Sequence, residues 1–297
     1  MNIVFGKNGF VGSNLNIDCL SPSRQECDLS CPQSTKKYLS NFGSTDVCII
    51  NLAAKVAGVI YNYNHNVEML YENTLSSLNL IKAIKELNLR CYYLSVSSVC
   101  AYDSSFEIEE NNFFNSLPQE SNFGYGISKR ISYLAPKALQ LDNKDFKFGC
   151  LIPTNMYGVN DQTDLKYSHV IPSLFIKMMR HQGREVEVHG NCLNVRNFLY
   201  VKDLCKTIEF FVKNKVEGYY NISSNDEISI YDLSEKIRNV TKTDKIIKYS
   251  EVGSIEKRCI KNEKLKNVYL KFNSTFETTN LDDGLLETYE WIKLIQK

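Results

Sequence analysis

Four short apolar runs punctuate the first half of the chain. Ile3-Val4-Phe5, Val47-Cys48-Ile49-Ile50-Asn51-Leu52, Cys91-Tyr92-Tyr93-Leu94-Ser95-Val96 and Phe148-Gly149-Cys150-Leu151-Ile152 are continuous and not alternating. That is the pattern of strands covered on both faces, as in a parallel sheet. Between the second and third runs, Val67, Leu70, Tyr71, Leu75, Leu78, Ile81, Ile84 and Leu87 recur at three- and four-residue steps and predict one long helix. Strands separated by helices predict βαβ units, and hence an α/β fold with a Rossmann-like doubly wound parallel sheet. After Pro153 the rhythm loosens. Residues 154–195 predict loops, one amphipathic helix near 171–181 and a short strand at Val186-Glu187-Val188. Ser229-Ile230-Tyr231-Asp232 has the form of a capped helix start, and a last helix is expected around Leu285–Ile295. No repeat or Pro/Gly linker separates the halves. The expected organisation is therefore a dinucleotide-binding domain over 1–155, to which about 190–223 return. A smaller, discontinuous α/β substrate-binding lobe is expected within 156–297.

Composition narrows the function classes. The 297 residues carry 35 Lys+Arg against 34 Asp+Glu, a net charge of +1, which supports neither a nucleic-acid nor an anionic-membrane partner. No apolar run approaches the roughly 18 residues needed to cross a bilayer. The opening Met1-Asn2-Ile3-Val4-Phe5-Gly6 is too short an apolar stretch for a signal peptide. Ten cysteines are scattered without a C-x-x-C pair, and no His cluster accompanies Cys27 and Cys31. A reduced, cytoplasmic protein without a metal site is expected.

Phe5-Gly6-Lys7-Asn8-Gly9-Phe10-Val11-Gly12 follows the first strand at once and opens a helix. Glycine lets backbone turn sharply and approach a pyrophosphate at the helix N-terminus. Gly6, Asn8, Gly9, Phe10, Val11 and Gly12 are therefore candidate cofactor contacts, spaced G-x-x-G-x-x-G. At the end of the second strand region, an acidic residue would hold a ribose 2′-hydroxyl, whereas an Arg accommodates a 2′-phosphate. There Arg24 favours NADP, with Glu26 pulling the other way; Asp28 and Leu29 close that stretch. Leu52, Ala53 and Ala54, just past the next strand, complete the candidate cofactor set.

Tyr125-Gly126-Ile127-Ser128-Lys129 puts a phenol and an ammonium at i and i+4 on one helical face. A Lys beside a Tyr stabilises the phenolate and makes the phenol a usable general acid. Pro136, further along the same pattern, should kink the helix downstream of the pair. The third strand ends in Ser95-Val96-Ser97-Ser98-Val99-Cys100, where a hydroxyl can face a bound carbonyl. Ser97 and Ser98 compete for that role, and periodicity does not separate them.

These stretches resemble the extended short-chain dehydrogenase/reductase family, in its GDP-4-keto-6-deoxymannose epimerase-reductase branch. The glycine loop, Asn51–Ile60, Ser98–Tyr102, Pro153–Gly158 with Ser168–Pro172, and Arg196–Asp203 carry the likeness, which spans about residues 1–215. It implies a Ser98-Tyr125-Lys129 triad, NADPH as cofactor, a GDP-sugar as substrate and a homodimer. It further implies that Cys100 and His169 exchange protons with the sugar during epimerisation. Asn155, Lys177, His189, Arg196 and Arg258 (or Lys257) are the implied substrate contacts. The chain departs from the family pattern at Asn8 and Lys177, where Arg is usual, at His189 in place of Trp, and at Val99 in place of Ser. Three other readings share parts of the pattern: a C4 reductase without epimerase activity, an NAD-dependent nucleotide-sugar C4 epimerase, and an NADP-binding sensor. A dehydratase would carry Asp and Glu where Val99 and Cys100 stand.

Overall fold

The structure is a computed structural model that describes residues 1–296 other than 44, 104–107, 181–182 and 255. In chain order its elements begin with β1 (Asn2–Phe5), α1 (Phe10–Asn14), α2 (Pro32–Leu39), β2 (Val47–Asn51), α3 (Val59–Asn64), α4 (Asn66–Glu86) and β3 (Cys91–Val96). Next come α5 (Phe123–Asp142), β4 (Lys147–Pro153), β5 (Asn155–Tyr157), α6 (Val170–Met179), β6 (Glu185–Asn191) and β7 (Val195–Tyr200). The chain closes with α7 (Val201–Asn214), β8 (Gly218–Ile222), β9 (Glu227–Ser229), α8 (Ile230–Thr241), β10 (Ile246–Glu251), β11 (Lys257–Arg258), α9 (Glu263–Lys271) and α10 (Leu281–Ile295).

The four apolar runs are four neighbouring strands of one five-stranded parallel sheet, ordered β1-β2-β3-β4-β8. Their alternate residues feed two separate cores. Ile3, Phe5, Ile49, Tyr93 and Phe148 pack with residues of α2, α4 and α5. Val4, Ile50, Leu94 and Leu151 pack with Leu204, Ile208 and Phe211 of α7. Burying both faces is why these strands are apolar throughout, and each such side chain contributes about 1.5–3 kcal/mol. Leu20 bridges β1 on the side away from β2, so the strand order reverses at β1. Ligands of open α/β sheets bind at such a reversal, beyond the carboxyl ends of the strands. The aligned register (Phe5 beside Asn51, Asn51 beside Ser95, Ser95 beside Cys150) brings the segments after β1, β2, β3 and β4 to one edge.

Two of the predicted helices carry detail beyond their periodicity. Helix α4 forms where the periodicity placed it, but the stripe is not all core. Val67 and Tyr71 are 81% and 63% exposed, while Asn73, Ser76, Ser77 and Asn79 are buried beside Leu80, Ile81 and Ile84. The small polar side chains serve backbone that a bulky residue could not reach. Asn73 accepts from the Lys55 N–H (2.7 Å) and donates to its carbonyl (3.1 Å), and Asn79 donates to the Leu29 carbonyl (2.8 Å). Helix α5 runs on past Pro136 to Asp142 as a single element. Pro136 lacks the N–H that would bond the Ser132 carbonyl, and the Ser95 hydroxyl donates to that carbonyl at 2.7 Å.

The second half is built from smaller sheets. β6 pairs with β10, while β7 pairs with β5, β9 and β11. The chain re-enters the central sheet through α7 and β8. Helix α6 ends at Met179, and residue 181, the expected end, lies outside the described residues. Ser229 caps α8 by accepting from the Asp232 N–H. The last helix begins at Leu281, four residues before the expected start, behind an Asn280 cap.

Candidate active site

The glycine loop turns away from β1 with Gly6 at φ +82°, a backbone state that side chains rarely adopt. A Cβ on Gly6 would lie 2.7 Å from the Ala53 nitrogen, so the loop is pressed onto Leu52-Ala53 at the end of β2. A Cβ on Gly12 would lie 2.3 Å from the Gly6 carbonyl oxygen. Gly9 differs: its φ is ordinary (−81°), and an added Cβ would approach only the Gly6 carbonyl oxygen, at 3.3 Å. The helix the loop opens, α1, has only five residues, so it offers backbone N–H donors but little dipole. The Lys7 ammonium donates to the Gly12 and Leu15 carbonyls, both at 2.8 Å, and closes the C-terminal end of α1. Asn8, Gly9 and Ala54 are exposed, Phe10, Val11, Leu52 and Ala53 half-buried. Beyond the Leu20 bridge, the largely exposed Arg24 lies 3.6 Å from Asp28, whose carboxylate also accepts from the Ser30 N–H and hydroxyl. Leu29 beside it is buried.

At the end of β3 the two serines part company. Ser97 is buried and donates its hydroxyl to the Lys129 carbonyl at 2.7 Å, a bond that staples α5 to β3. Ser98 caps the following turn, its oxygen accepting from the Cys100 N–H at 3.2 Å, and its hydroxyl also reaches the Tyr125 phenol. The Lys129 ammonium donates to the Val96 carbonyl (3.2 Å) and stands 5.5 Å from the centre of the Tyr125 ring. Burial pushes the Tyr125 phenol well above its ordinary range; a charge on Cys100 adds to this, and the Ser98 hydrogen bond opposes it. Burial also draws Lys129 down to about 8, against the charges of Cys150 and Cys100. The phenol is thus held protonated beside an ammonium that remains largely charged at neutral pH.

Cys100 and His169 come from different elements. Cys100 sits in the turn after β3, close enough for its charge to act on Tyr125, Lys129 and Arg258. His169 is the N-cap of α6. Its loop lies over the glycine helix and the segment after β2: Asn14 donates to the Val159 carbonyl, and Gly58 packs on the Ser168 carbonyl. Burial pulls the His169 imidazole down, but the hydrogen bond and charge of Asp161 carry it above the ordinary value.

Arg196 and Arg258 are direct partners in the β7–β11 pair. Glu256 accepts from Arg196 at 2.6 Å, and Gln119 accepts from Arg258, which also reaches the Tyr102 carbonyl at 3.4 Å. Lys257, on the other side of the strand, pairs with Glu227. Lys177 and His189 form a separate group around Glu187, Lys177 donating to its carbonyl (2.8 Å) and His189 lying 3.6 Å from its carboxylate. Asn155 opens β5, directly beside Phe198 of β7. Sequence reasoning missed Asp161, Gln119, Glu256 and Lys7. The first three sit in loops or short strands where no periodicity marks them.

A parallel sheet with a glycine turn at its strand-order reversal, and a Tyr/Lys pair facing a serine across the strand ends, defines a dinucleotide-dependent enzyme class. Residues 3–223 match the NAD dependent epimerase/dehydratase family, and the chain belongs to it. Among its relatives, GDP-L-fucose synthase of Dictyostelium discoideum is 31% identical over 90% of this chain and 83% of its own length. GDP-L-colitose synthase of Yersinia pseudotuberculosis is 27% identical over 80% of this chain and 81% of its own. Among solved structures, a GDP-L-fucose synthetase from Naegleria fowleri bound to NADP superposes with a TM-score of 0.84 (22% identity, 99% of this chain, 93% of that one). A GDP-6-OMe-4-keto-L-xylo-heptose reductase from C. jejuni also gives 0.84 (17% identity, 99% and 98%).

Proposed function

We propose that this chain is an NADPH-dependent reductase of the C4 ketone of a GDP-linked 4-keto-6-deoxy sugar, hexose or heptose, and that it also epimerises C3 and C5. The observation that carries the reading is the buried Tyr125 phenol set between the Ser98 hydroxyl and the Lys129 ammonium. The names of the Dictyostelium and Yersinia relatives, both GDP-sugar synthases, support the substrate class.

The residues fit a dinucleotide. Gly9 leaves space that a side chain would fill, beside backbone N–H groups of the short α1, and the exposed Arg24, past the Leu20 bridge, is the residue we assign to the 2′-phosphate. When bound there, NADPH supplies the hydride that reduces C4. Ser98 and Tyr125 hydrogen-bond the C4 oxygen and stabilise charge as it develops, and Tyr125 delivers the proton. The Lys129 charge stabilises the phenolate that Tyr125 becomes when its proton leaves, and its ammonium holds the cofactor ribose. A C4 ketone also acidifies the C3 and C5 hydrogens, because the resulting enolate places its charge on the same oxygen. His169 and Cys100 exchange those protons. Arg196 and Arg258 hold the diphosphate, Asn155 the sugar, and Lys177 with His189 the nucleoside end.

The same reading includes a homodimer. Val67, Tyr71 and Leu78 lie on one exposed face of α4, and Leu134 and Leu141 on one exposed face of the adjoining α5. We infer that a second copy buries these exposed apolar side chains, since exposed apolar surface of this kind is used for association. No helix among the described residues is long and apolar enough to cross a membrane, and the ten cysteines are unpaired, which fits a cytoplasmic enzyme. We also assign the central sheet with α7 and β8 to cofactor binding and the β5–β11 excursions to substrate binding.

The test is incubation with GDP-4-keto-6-deoxymannose and NADPH in deuterated water. NADPH oxidation with deuterium at C3 and C5 of the product is expected. Oxidation without deuterium would remove the epimerase role of Cys100 and His169, and no oxidation with this ketone or a 4-keto heptose analogue would remove the reductase.

A further inference from the structure

Asp161 has the least comfortable environment in the loop that precedes α6. Its side chain is 1% exposed, and its Oδ1 accepts from the Gln162 N–H at 2.7 Å while lying 3.4 Å from His169 Nδ1. Its Oδ2 is buried with no partner. Burying a carboxylate oxygen unpaired is costly, and a native chain that keeps one has a use for it. A carboxylate only accepts hydrogen bonds, so the His169 nitrogen that faces it must be the one carrying a proton. His169 also stands at the positive N-terminal end of α6, which disfavours an imidazolium, so the carboxylate is the group that restores its basicity.

We propose that Asp161 is a positioning residue that locks His169 in the Nδ1–H tautomer and leaves Nε2 as the nitrogen that exchanges a proton with the substrate. The assignment rests on the reading given above, in which His169 and Cys100 exchange protons with the sugar; either direction of transfer at His169 runs through the same nitrogen. Where His169 is the accepting member of the pair, Nε2 gains the proton from a carbon beside the ketone, and in the reverse transfer Nε2 returns it to that carbon. The electron pair of that C–H bond becomes the enolate, whose oxygen Ser98 and Tyr125 hold. The Nδ1 proton stays on nitrogen, and its bond to Asp161 gains charge assistance. The 3.4 Å separation leaves this bond room to shorten as the imidazole gains charge.

The experiment reads the imidazole nitrogens of 15N-histidine-labelled protein, above the His169 pKa and without substrate. Wild type is expected to show a pyrrole-like Nδ1 and a pyridine-like Nε2 at His169. Asp161→Asn, whose amide can donate to Nδ1, is expected to exchange the two signals, and Asp161→Glu to restore the wild-type pattern. Deuterium uptake at the substrate carbon should fall by about 10²–10⁴-fold in Asp161→Asn, the scale of a wrong tautomer, with NADPH affinity unchanged. An Nε2–H tautomer in wild type would overturn the proposal, as would an unaltered tautomer in Asp161→Asn. The nitrogen signals need no turnover, so they decide this proposal even if the wild-type chain proves inactive on the sugar.

Discussion

The Ser97 hydroxyl and the Lys129 carbonyl are joined at 2.7 Å across β3 and α5, and Lys129 returns its own ammonium to the Val96 carbonyl at 3.2 Å. This cross-link holds the Tyr125–Lys129 face at the end of the sheet and leaves the next hydroxyl, Ser98, to the site.

The two serines should therefore fail differently. Ser97→Ala is expected to lower unfolding free energy by about 0.5–1.5 kcal/mol, the net worth of one buried hydrogen bond. Ser98→Ala should lower kcat by about 10²–10³-fold, as loss of one donor to a developing oxyanion does, beside the loss of about 0.5–2 kcal/mol that removal of a cap brings; Ser97→Ala should leave kcat within about 10-fold of wild type. Denaturant titration beside steady-state rates separates the two.

Lys129 stores a pH-dependent cost. Burial holds it near 8, so below that pH the folded chain keeps an ammonium that the unfolded chain solvates better. Between about pH 8 and the ordinary lysine value near 10.4, the unfolded chain binds the extra proton, and wild-type stability gains with rising pH from this group. Lys129→Met is expected to be more stable than wild type at pH 7 by about 1–3 kcal/mol, with the difference shrinking toward pH 10. The same variant should lose reductase activity. Unfolding titrations of both proteins across this range check the sign.

The glycines of the first loop are not equivalent. Gly12→Ala forces a methyl to 2.3 Å from the Gly6 carbonyl oxygen and should destabilise by about 1–3 kcal/mol or more. Gly9→Ala meets only one atom, at 3.3 Å, and should fold normally. Because its methyl fills the approach to the pyrophosphate, NADPH affinity should fall about 10–100-fold, the loss of one charge-assisted contact. Thermal unfolding and a fluorescence titration with NADPH distinguish the two effects.

Leu78→Asp on the exposed face of α4 is expected to abolish the proposed dimer with the fold intact, since the side chain is 44% exposed in a single chain. Sedimentation of variant and wild type measures this. A wild-type monomer at micromolar concentration would contradict the interface.

Much of this architecture was legible in the amino-acid order. The four core strands announced themselves because both of their faces are covered, and Tyr125 and Lys129 because four residues make one helical turn. The stripe of α4 marked the helix but not which of its residues are covered, because exposed Val67 and Tyr71 share one period with buried Ile81 and Ile84. The choice between Ser97 and Ser98 depends on which hydroxyl α5 consumes, which a strand-end sequence does not contain. Asp161 and His169 are eight residues apart in a loop, and Glu256 meets Arg196 from 60 residues away. Strands as short as β9 and β11 exist because β7 offers them an edge, so their own residues carry little signal.

The central claim is that Tyr125 delivers the proton while hydride arrives at C4 of the sugar. NADPH deuterated on its transferable position, incubated with GDP-4-keto-6-deoxymannose, tests it when the product is examined by NMR. The account predicts deuterium at C4 with wild type, and a rate about 10²–10⁴-fold lower with Tyr125→Phe in a folded chain. Product without label at C4, or an undiminished rate in Tyr125→Phe, would contradict it.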